Sequence, residues 1–227
     1  MVKLIQQTIR CPACGQPYNG EIRTIIDAGQ DPQGKQMLIA GQLNVQQCPH
    51  CGSTTRAAAP ILYHDADKEL LISFVPMELN MPRDEQDRVI GSMLNELTAS
   101  IPKEQFRAYM FKPRSALTMQ GLVNQILEAD GIDPQKVEEQ RKRLQLVQMF
   151  LDASSVEAIQ ALAKEFDEQI DESFFQTLSM FGQRMVEEGQ MQIAQRVGAI
   201  QQILLNETTY GKGLQEEMAR SEAAVKE

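Results

Sequence analysis

The chain has 227 residues, 42% of them hydrophobic and 23% charged, with 22 Lys and Arg against 31 Asp and Glu for a net charge of −9. That length suits one large or two small domains. No apolar run approaches the ~18 residues of a membrane span, the start Met1-Val2-Lys3-Leu4-Ile5-Gln6 lacks the apolar core of a signal peptide, and the acidity argues against the basic footprint of a nucleic-acid binder. The sequence therefore reads as cytoplasmic.

Lys3–Arg10 reads as a short edge strand. It runs into Cys11-Pro12-Ala13-Cys14-Gly15, and Cys48-Pro49-His50-Cys51-Gly52 repeats the pattern after 33 intervening residues. These four are the whole cysteine complement. A CxxC turn points two sulfurs to one side and aims backbone N–H groups at the first. Proline after the first cysteine fixes φ and has no N–H to leave unpaired. Glycine after the second accepts φ > 0, so the chain can leave sharply. Two such turns can close a tetrahedron, and Cys11, Cys14, Cys48 and Cys51 are the expected ligands of a four-thiolate zinc site. Disulfides lack an oxidising compartment here. A dithiol redox centre needs a CxxC at a helix start. Iron of the rubredoxin type can occupy the same tetrahedron. A closed four-cysteine shell leaves no position for substrate, so its role is structural. His50 lies inside the second turn but is expected to point outward, because Cys51 already completes the spacing.

Between the two turns, Glu21–Ala28 reads as a strand and Asp31-Pro32-Gln33-Gly34 as a turn. Met37–Val45 reads as a second strand with a bulge at Gly41, giving one long hairpin inserted between the cysteine pairs. Ala57–Tyr63 is a further apolar run, His64–Lys68 a polar turn, and Leu70–Val75 a buried strand stopped by Pro76. A helix starts near Asp84, with Val89, Met93, Leu94 and Leu97 at helical spacing. Phe106–Phe111 reads as a strand rejoining the sheet, and Ser115–Glu128 as a helix ended by Gly131. Asp133-Pro134 opens another helix. Four helices are then expected, over Val137–Asp152, Val156–Phe166 capped by Ser154 or Ser155, Phe174–Glu188 capped by Asp171, and Met191–Asn206 after a break at Gly189. Thr208–Lys226 reads as a frayed, mobile tail or an exposed helix.

The predicted class is α+β. A zinc-ribbon-like antiparallel sheet with attached helices spans residues 1–132, and an acidic α-helical domain spans 133–227. The first carries 12 Lys and Arg against 14 Asp and Glu, the second 10 against 17. The apolar stripe expected in the helical part comprises Leu144, Val147, Leu151, Ile159, Leu162, Phe174, Leu178, Phe181, Ile193, Val197, Ile200 and Leu204.

The duplicated C-P-x-C-G turn resembles the CpXC family. The likeness continues through Pro60-Ile61-Leu62-Tyr63-His64-Asp65, Leu70–Pro76, Tyr109-Met110-Phe111-Lys112-Pro113 and Leu122-Val123-Asn124-Gln125-Ile126, and covers residues 8–132 approximately. It implies a metal-binding domain of prokaryotic proteins and carries no activity with it. A weaker resemblance, over residues 147–205, is to a tetratricopeptide-type helical hairpin, with Gly189 and Ala194 as its point of close packing.

The function expected is that of a non-enzymatic zinc-binding protein whose helical half binds another protein or itself. Two other readings stay open: an enzyme centred on His64, Asp65 and Asp67, and a nucleic-acid-associated zinc ribbon. Asp65-x-Asp67 lacks the glycine and distal glutamate of a calcium loop. Met180, Met185 and Met191 either fill a core or form an adaptable surface.

Overall fold

The computed structural model describes residues 2–225 apart from 103 and 105. The chain divides into two compact units, Met1–Pro134 and Gln135–Glu227. The class is α+β, with a sheet in the first unit and helices throughout the second.

In the first unit, β1 (Val2–Arg10) and β2 (Pro17–Asp27) form an antiparallel hairpin. Its tip is the first cysteine turn. A second, small hairpin, β3 (Val45–Gln47) with β4 (Thr54–Arg56), carries the second cysteine turn at its own tip. β5 (Ile61–Asp65) lies parallel to β2, β6 (Leu70–Phe74) antiparallel to β5, and β7 (Arg114–Ala116) parallel to β6. The sheet order is β1-β2-β5-β6-β7. The sheet is thus mixed rather than antiparallel, because helical crossovers return the chain to the end it left.

The first crossover overturns one expectation. Met37–Val45 is not a strand; α1 (Pro32–Ile39) occupies its first part. The Asp31 carboxylate accepts from the Gly34 N–H at 2.9 Å, and Pro32 takes the first turn. Asp-Pro is a helix start as well as a turn signal. Gly41, expected as a bulge, has φ +70 just past the Ala40 cap, while the Gln42 N–H reaches the Met37 carbonyl at 2.8 Å. That is a glycine-terminated helix end. No long hairpin joins the cysteine turns; each terminates its own hairpin.

The second crossover runs from β6 through α2 (Arg83–Ser100) to β7. Phe106–Phe111, expected to rejoin the sheet, is instead a 3-10 turn over Ala108–Phe111, and the rejoining strand is the one at 114–116. α3 (Met119–Ala129) follows, capped by the Thr118 hydroxyl and ended at Gly131, where φ is +77. On one sheet face Ile25, Leu62 and Leu71 pack with Met93 and Leu97 of α2 and with Met110. The alternate residues Ile26, Tyr63 and Ile72 point to the other face, and all three are fully buried.

The second unit consists of α4 (Pro134–Asp152), α5 (Val156–Glu165), α6 (Glu172–Glu187), α7 (Met191–Glu207) and α8 (Thr209–Val225). Ser155 caps α5 and Asp171 caps α6 through side-chain oxygens. Thr209–Val225, expected to be either a tail or a helix, is helical over the described residues. Asp167 pins its first turn, accepting from the Thr209 N–H at 2.8 Å and the Thr209 hydroxyl at 2.6 Å.

Most of the apolar stripe is buried inside this unit. Val147, Phe150, Ile159, Phe174, Leu178, Val197, Ile200 and Leu204 form its core. Leu144 and Ile193 are exposed instead. Their places are taken by Leu146 and Ile170. The close approach of α6 and α7 is not at Gly189 and Ala194. Gly189, with φ +74, ends α6, and a Cβ there would meet nothing within 4 Å. A Cβ on Gly182 would sit 3.0 Å from Val197 Cγ1, so Gly182 is where the helices press together.

Candidate metal centre

The two cysteine turns have the same backbone. In the first, the Gly15 N–H donates to the Cys11 carbonyl at 2.8 Å and the Cys11 N–H to the Gln16 carbonyl at 3.0 Å. In the second, the Gly52 N–H donates to the Cys48 carbonyl at 2.9 Å and the Cys48 N–H to the Ser53 carbonyl at 2.8 Å. Gly15 and Gly52 both have φ +73, the left-handed region that the sequence pattern demands. His50 is exposed, on the outside of its turn.

The four cysteines come together although the turns belong to different hairpins. Their sulfurs all lie within 4.8 Å of one another. Across the turns, Cys11 Sγ is 3.6 Å from Cys51 Sγ and Cys14 Sγ is 3.8 Å from Cys48 Sγ. Cys11 and Cys48 are buried; Cys14 and Cys51 are exposed. A tetrahedron with metal–sulfur bonds of about 2.3 Å has edges of about 3.8 Å, so this donor set fits a tetrahedrally bound metal ion.

The electrostatics favour a cation at the same place. The backbone N–H of Cys14, helped by that of Ala13, lowers the Cys11 thiol to about 6 against the penalty of burial. The backbone of Ser53 acts the same way on Cys51, but hydrogen bonding to Cys14, burial and the remaining cysteines raise Cys51 to about 12. Cys14 is also raised overall, despite the Gln16 backbone. Four thiols this close cannot all ionise by themselves. A bound metal removes that conflict, because coordination requires every ligand to be a thiolate.

Side-chain amides seat the second hairpin on the first. Asn44, buried and with φ 56, accepts from the Arg23 N–H at 2.8 Å and donates to the Arg23 carbonyl at 2.9 Å. It pairs with β2 as a neighbouring strand would. Gln46 donates to the Glu21 carbonyl at 3.0 Å. These two contacts satisfy a stretch of β2 that β5 does not reach. Asn44→Ala leaves both backbone groups of Arg23 without their partner. It is expected to lower the stability of the first unit by about 1–3 kcal/mol, read as a lower denaturant midpoint. An unchanged midpoint would show that water replaces the amide.

His64, Asp65 and Asp67 do not converge. His64 and Asp65 are strand neighbours and face opposite sides of the sheet, while Asp67 is exposed in the following turn. His64 is buried in β5 rather than starting a turn. Its Nδ1 is 3.0 Å from Asp27 Oδ2 and its Nε2 is 2.9 Å from the Tyr109 hydroxyl. Burial pushes the Asp27 carboxyl up, but the His64 hydrogen bond and charge outweigh it and hold the carboxyl below its ordinary value. His64 thus bridges the Asp27 carboxylate at the end of β2 and the Tyr109 hydroxyl. On the other face, Asp65 accepts from Tyr63 at 3.2 Å and from Lys35 at 3.3 Å, and Lys35 also reaches Asp130 at 2.8 Å. The first network ties the C-terminal ends of β2 and β5 together; the second ties the end of β5 through Lys35 of α1 to Asp130 at the end of α3.

Sequence reading missed Asn44, Asp27 and the role of Tyr109. Only the Asp31-Pro32 helix start would have shown that Asn44 lies beyond a helix, free to approach β2.

Among family models, that of the CpXC protein family matches residues 9–140, more than half of the chain. Neither the curated proteins nor the solved structures contain a match to it. With paired C-P-x-C-G turns built alike and their sulfurs gathered into one cluster, the chain belongs to the CpXC family.

Proposed function

We propose that the cysteine cluster is a structural zinc centre in a non-enzymatic cytoplasmic protein, whose helical unit binds another protein or a second copy of this chain. The observation that carries the metal reading is the pair of cross-turn sulfur distances, 3.6 and 3.8 Å, set against a tetrahedral edge of about 3.8 Å. Cys11 and Cys14 on one side and Cys48 and Cys51 on the other would hold the ion. When bound, zinc supplies a redox-silent cross-link and, with four thiolates, no open position for chemistry. The protein's own part is to present two preformed turns, to aim N–H groups at the sulfurs, and to hold the hairpins in register through Asn44 and Gln46. No described helix is long and apolar enough to cross a membrane, and four reduced thiols suit a reducing compartment.

The helical reading is supported by surface methionines. Met185 is buried, but Met180 and Met191 are 69% and 53% exposed, as is Val186 at 51%. Met180 lines a shallow groove together with Phe175, Tyr210 and Leu214. Methionines at a surface adapt to partner shape.

Metal analysis of the purified chain is expected to give one zinc per chain; iron in its place would make the site rubredoxin-like. Neither metal, with four freely reactive thiols and an intact fold, would end the metal reading. Met180→Glu is expected to abolish self-association or partner capture by the full chain. The net charge of −9 is expected to prevent DNA or RNA binding tighter than the ~10⁻⁴–10⁻⁶ M of nonspecific binders at physiological salt. Submicromolar, salt-sensitive binding in a mobility-shift assay would revive the nucleic-acid reading.

A further inference from the structure

We propose that the Tyr18 hydroxyl is an outer partner of the metal centre, donating an O–H···S hydrogen bond to the Cys48 thiolate in the metal-loaded protein. The inference rests on the four-cysteine metal reading and adds to it a residue that tunes the site without touching the ion.

The starting observation is an unmet polar group. Tyr18 is 8% exposed, and its hydroxyl is buried with no hydrogen-bond partner among the described residues. Leaving such a group unpaired costs about 1–3 kcal/mol, and native structures rarely leave one without a reason. A phenylalanine would fill the same space at no such cost.

Tyr18 belongs to a buried apolar cluster with Ile9, Cys11, Ile22, Cys48, Ala57 and Ala59. The cysteine sulfurs are the acceptors that this cluster offers. The strand geometry agrees. Tyr18 shares a face of β2 with Gly20 and Ile22. A Cβ on Gly20 would sit 3.2 Å from Gln46 Oε1, and Gln46 stands two residues before Cys48. That face of β2 therefore lies under the second cysteine turn.

Of the two sulfurs, that of Cys48 belongs to the turn lying over this face of β2, and it is the acceptor we assign. A phenol is protonated at neutral pH and is available as a donor. A hydrogen bond to a metal-bound thiolate draws charge away from the sulfur. It thereby spreads the excess negative charge of a four-thiolate centre, which stabilises the loaded site and lowers the sulfur's reactivity toward electrophiles.

The test uses the full chain loaded with Co²⁺, whose thiolate charge-transfer bands report the charge on sulfur. Tyr18→Phe is expected to shift those bands to longer wavelength. It should also weaken Co²⁺ binding by about 10–100-fold, with the far-ultraviolet circular dichroism unchanged. A purely structural tyrosine would leave the band position where it is. Should the variant fail to fold, the wild type loaded with ¹¹³Cd provides the second measurement. A slowly exchanging tyrosine hydroxyl proton coupled to the metal nucleus is expected, and its absence would overturn the proposal. Identical bands and affinity in a folded Tyr18→Phe variant would overturn the hydrogen bond while leaving the metal centre standing. A wild type that binds neither metal would overturn both.

Discussion

Cys48→Ser, or removal of the metal by a chelator, is expected to unfold the cysteine end of the first unit. Structural zinc sites contribute about 10–16 kcal/mol of apparent binding free energy in small metal-dependent folds. An entire domain is stable by only about 5–15 kcal/mol. The second hairpin has little else to hold it. Its strands are three residues each, Val45-Gln46-Gln47 and Thr54-Thr55-Arg56, and neither is fully buried at any position. An isolated two-stranded hairpin is marginal in water. Once it leaves, β2 loses Asn44 and Gln46 as partners, and Cys11, Tyr18 and Ile22 lose the cover of Cys48 and Ala57. The disruption should spread along β1 and β2 toward Ile25. There a separate cluster with Leu62, Leu71, Met93 and Leu97 takes over. Hydrogen exchange read peptide by peptide should show residues 8–23 and 43–57 losing protection first. Unchanged protection there, with the metal demonstrably gone, would mean that the cysteines decorate the fold rather than hold it.

What the sequence disclosed about this centre, and what it concealed, have one cause. The clustering of the four cysteines was readable because a CxxC turn is local: four residues and a following glycine determine both sulfurs and the left-handed exit at Gly15 and Gly52. The way the turns meet was not readable, because it depends on non-local pairings. β3 and β4 are polar and too short to alternate, so nothing marks them as strands. The eight residues of α1 span barely two turns, and the aliphatic run Met37-Leu38-Ile39 suits a strand equally well. Only the Asp31-Pro32 start separates the two. The parallel pairing of β2 with β5 and the contact of His64 with Asp27 join residues 37 apart in sequence. No window of periodicity reaches that far. Acidity and helical period in the second half were legible because they repeat over many residues. Its point of closest packing was not, since both Gly182 and Gly189 offer a missing Cβ and only tertiary contact chooses between them.

Phe174→Ala is expected to destabilise the helical unit by about 3–5 kcal/mol while leaving metal binding intact. Phe174 is fully buried at the centre of that unit's core. Its ring meets Phe150 edge-on at 5.7 Å and Phe175 at 6.4 Å. The same residue anchors the start of α6, where its N–H donates to the Asp171 carboxylate at 2.8 Å. The cap survives the substitution, because it uses the backbone. The loss is therefore that of packing: transfer of the ring plus the cavity left among rigid helices. For a unit of this size each kcal/mol moves the midpoint by roughly 4–8 °C, so calorimetry on the full chain should show a fall of about 12–40 °C in one transition. The cysteines all lie in the other compact unit. Metal stoichiometry, and exchange protection over residues 43–57, should accordingly match the wild type. Loss of metal from the variant, or one transition that moves as a whole, would mean that the two halves fold as a single cooperative block. The helical unit could not then serve as a separable interaction module.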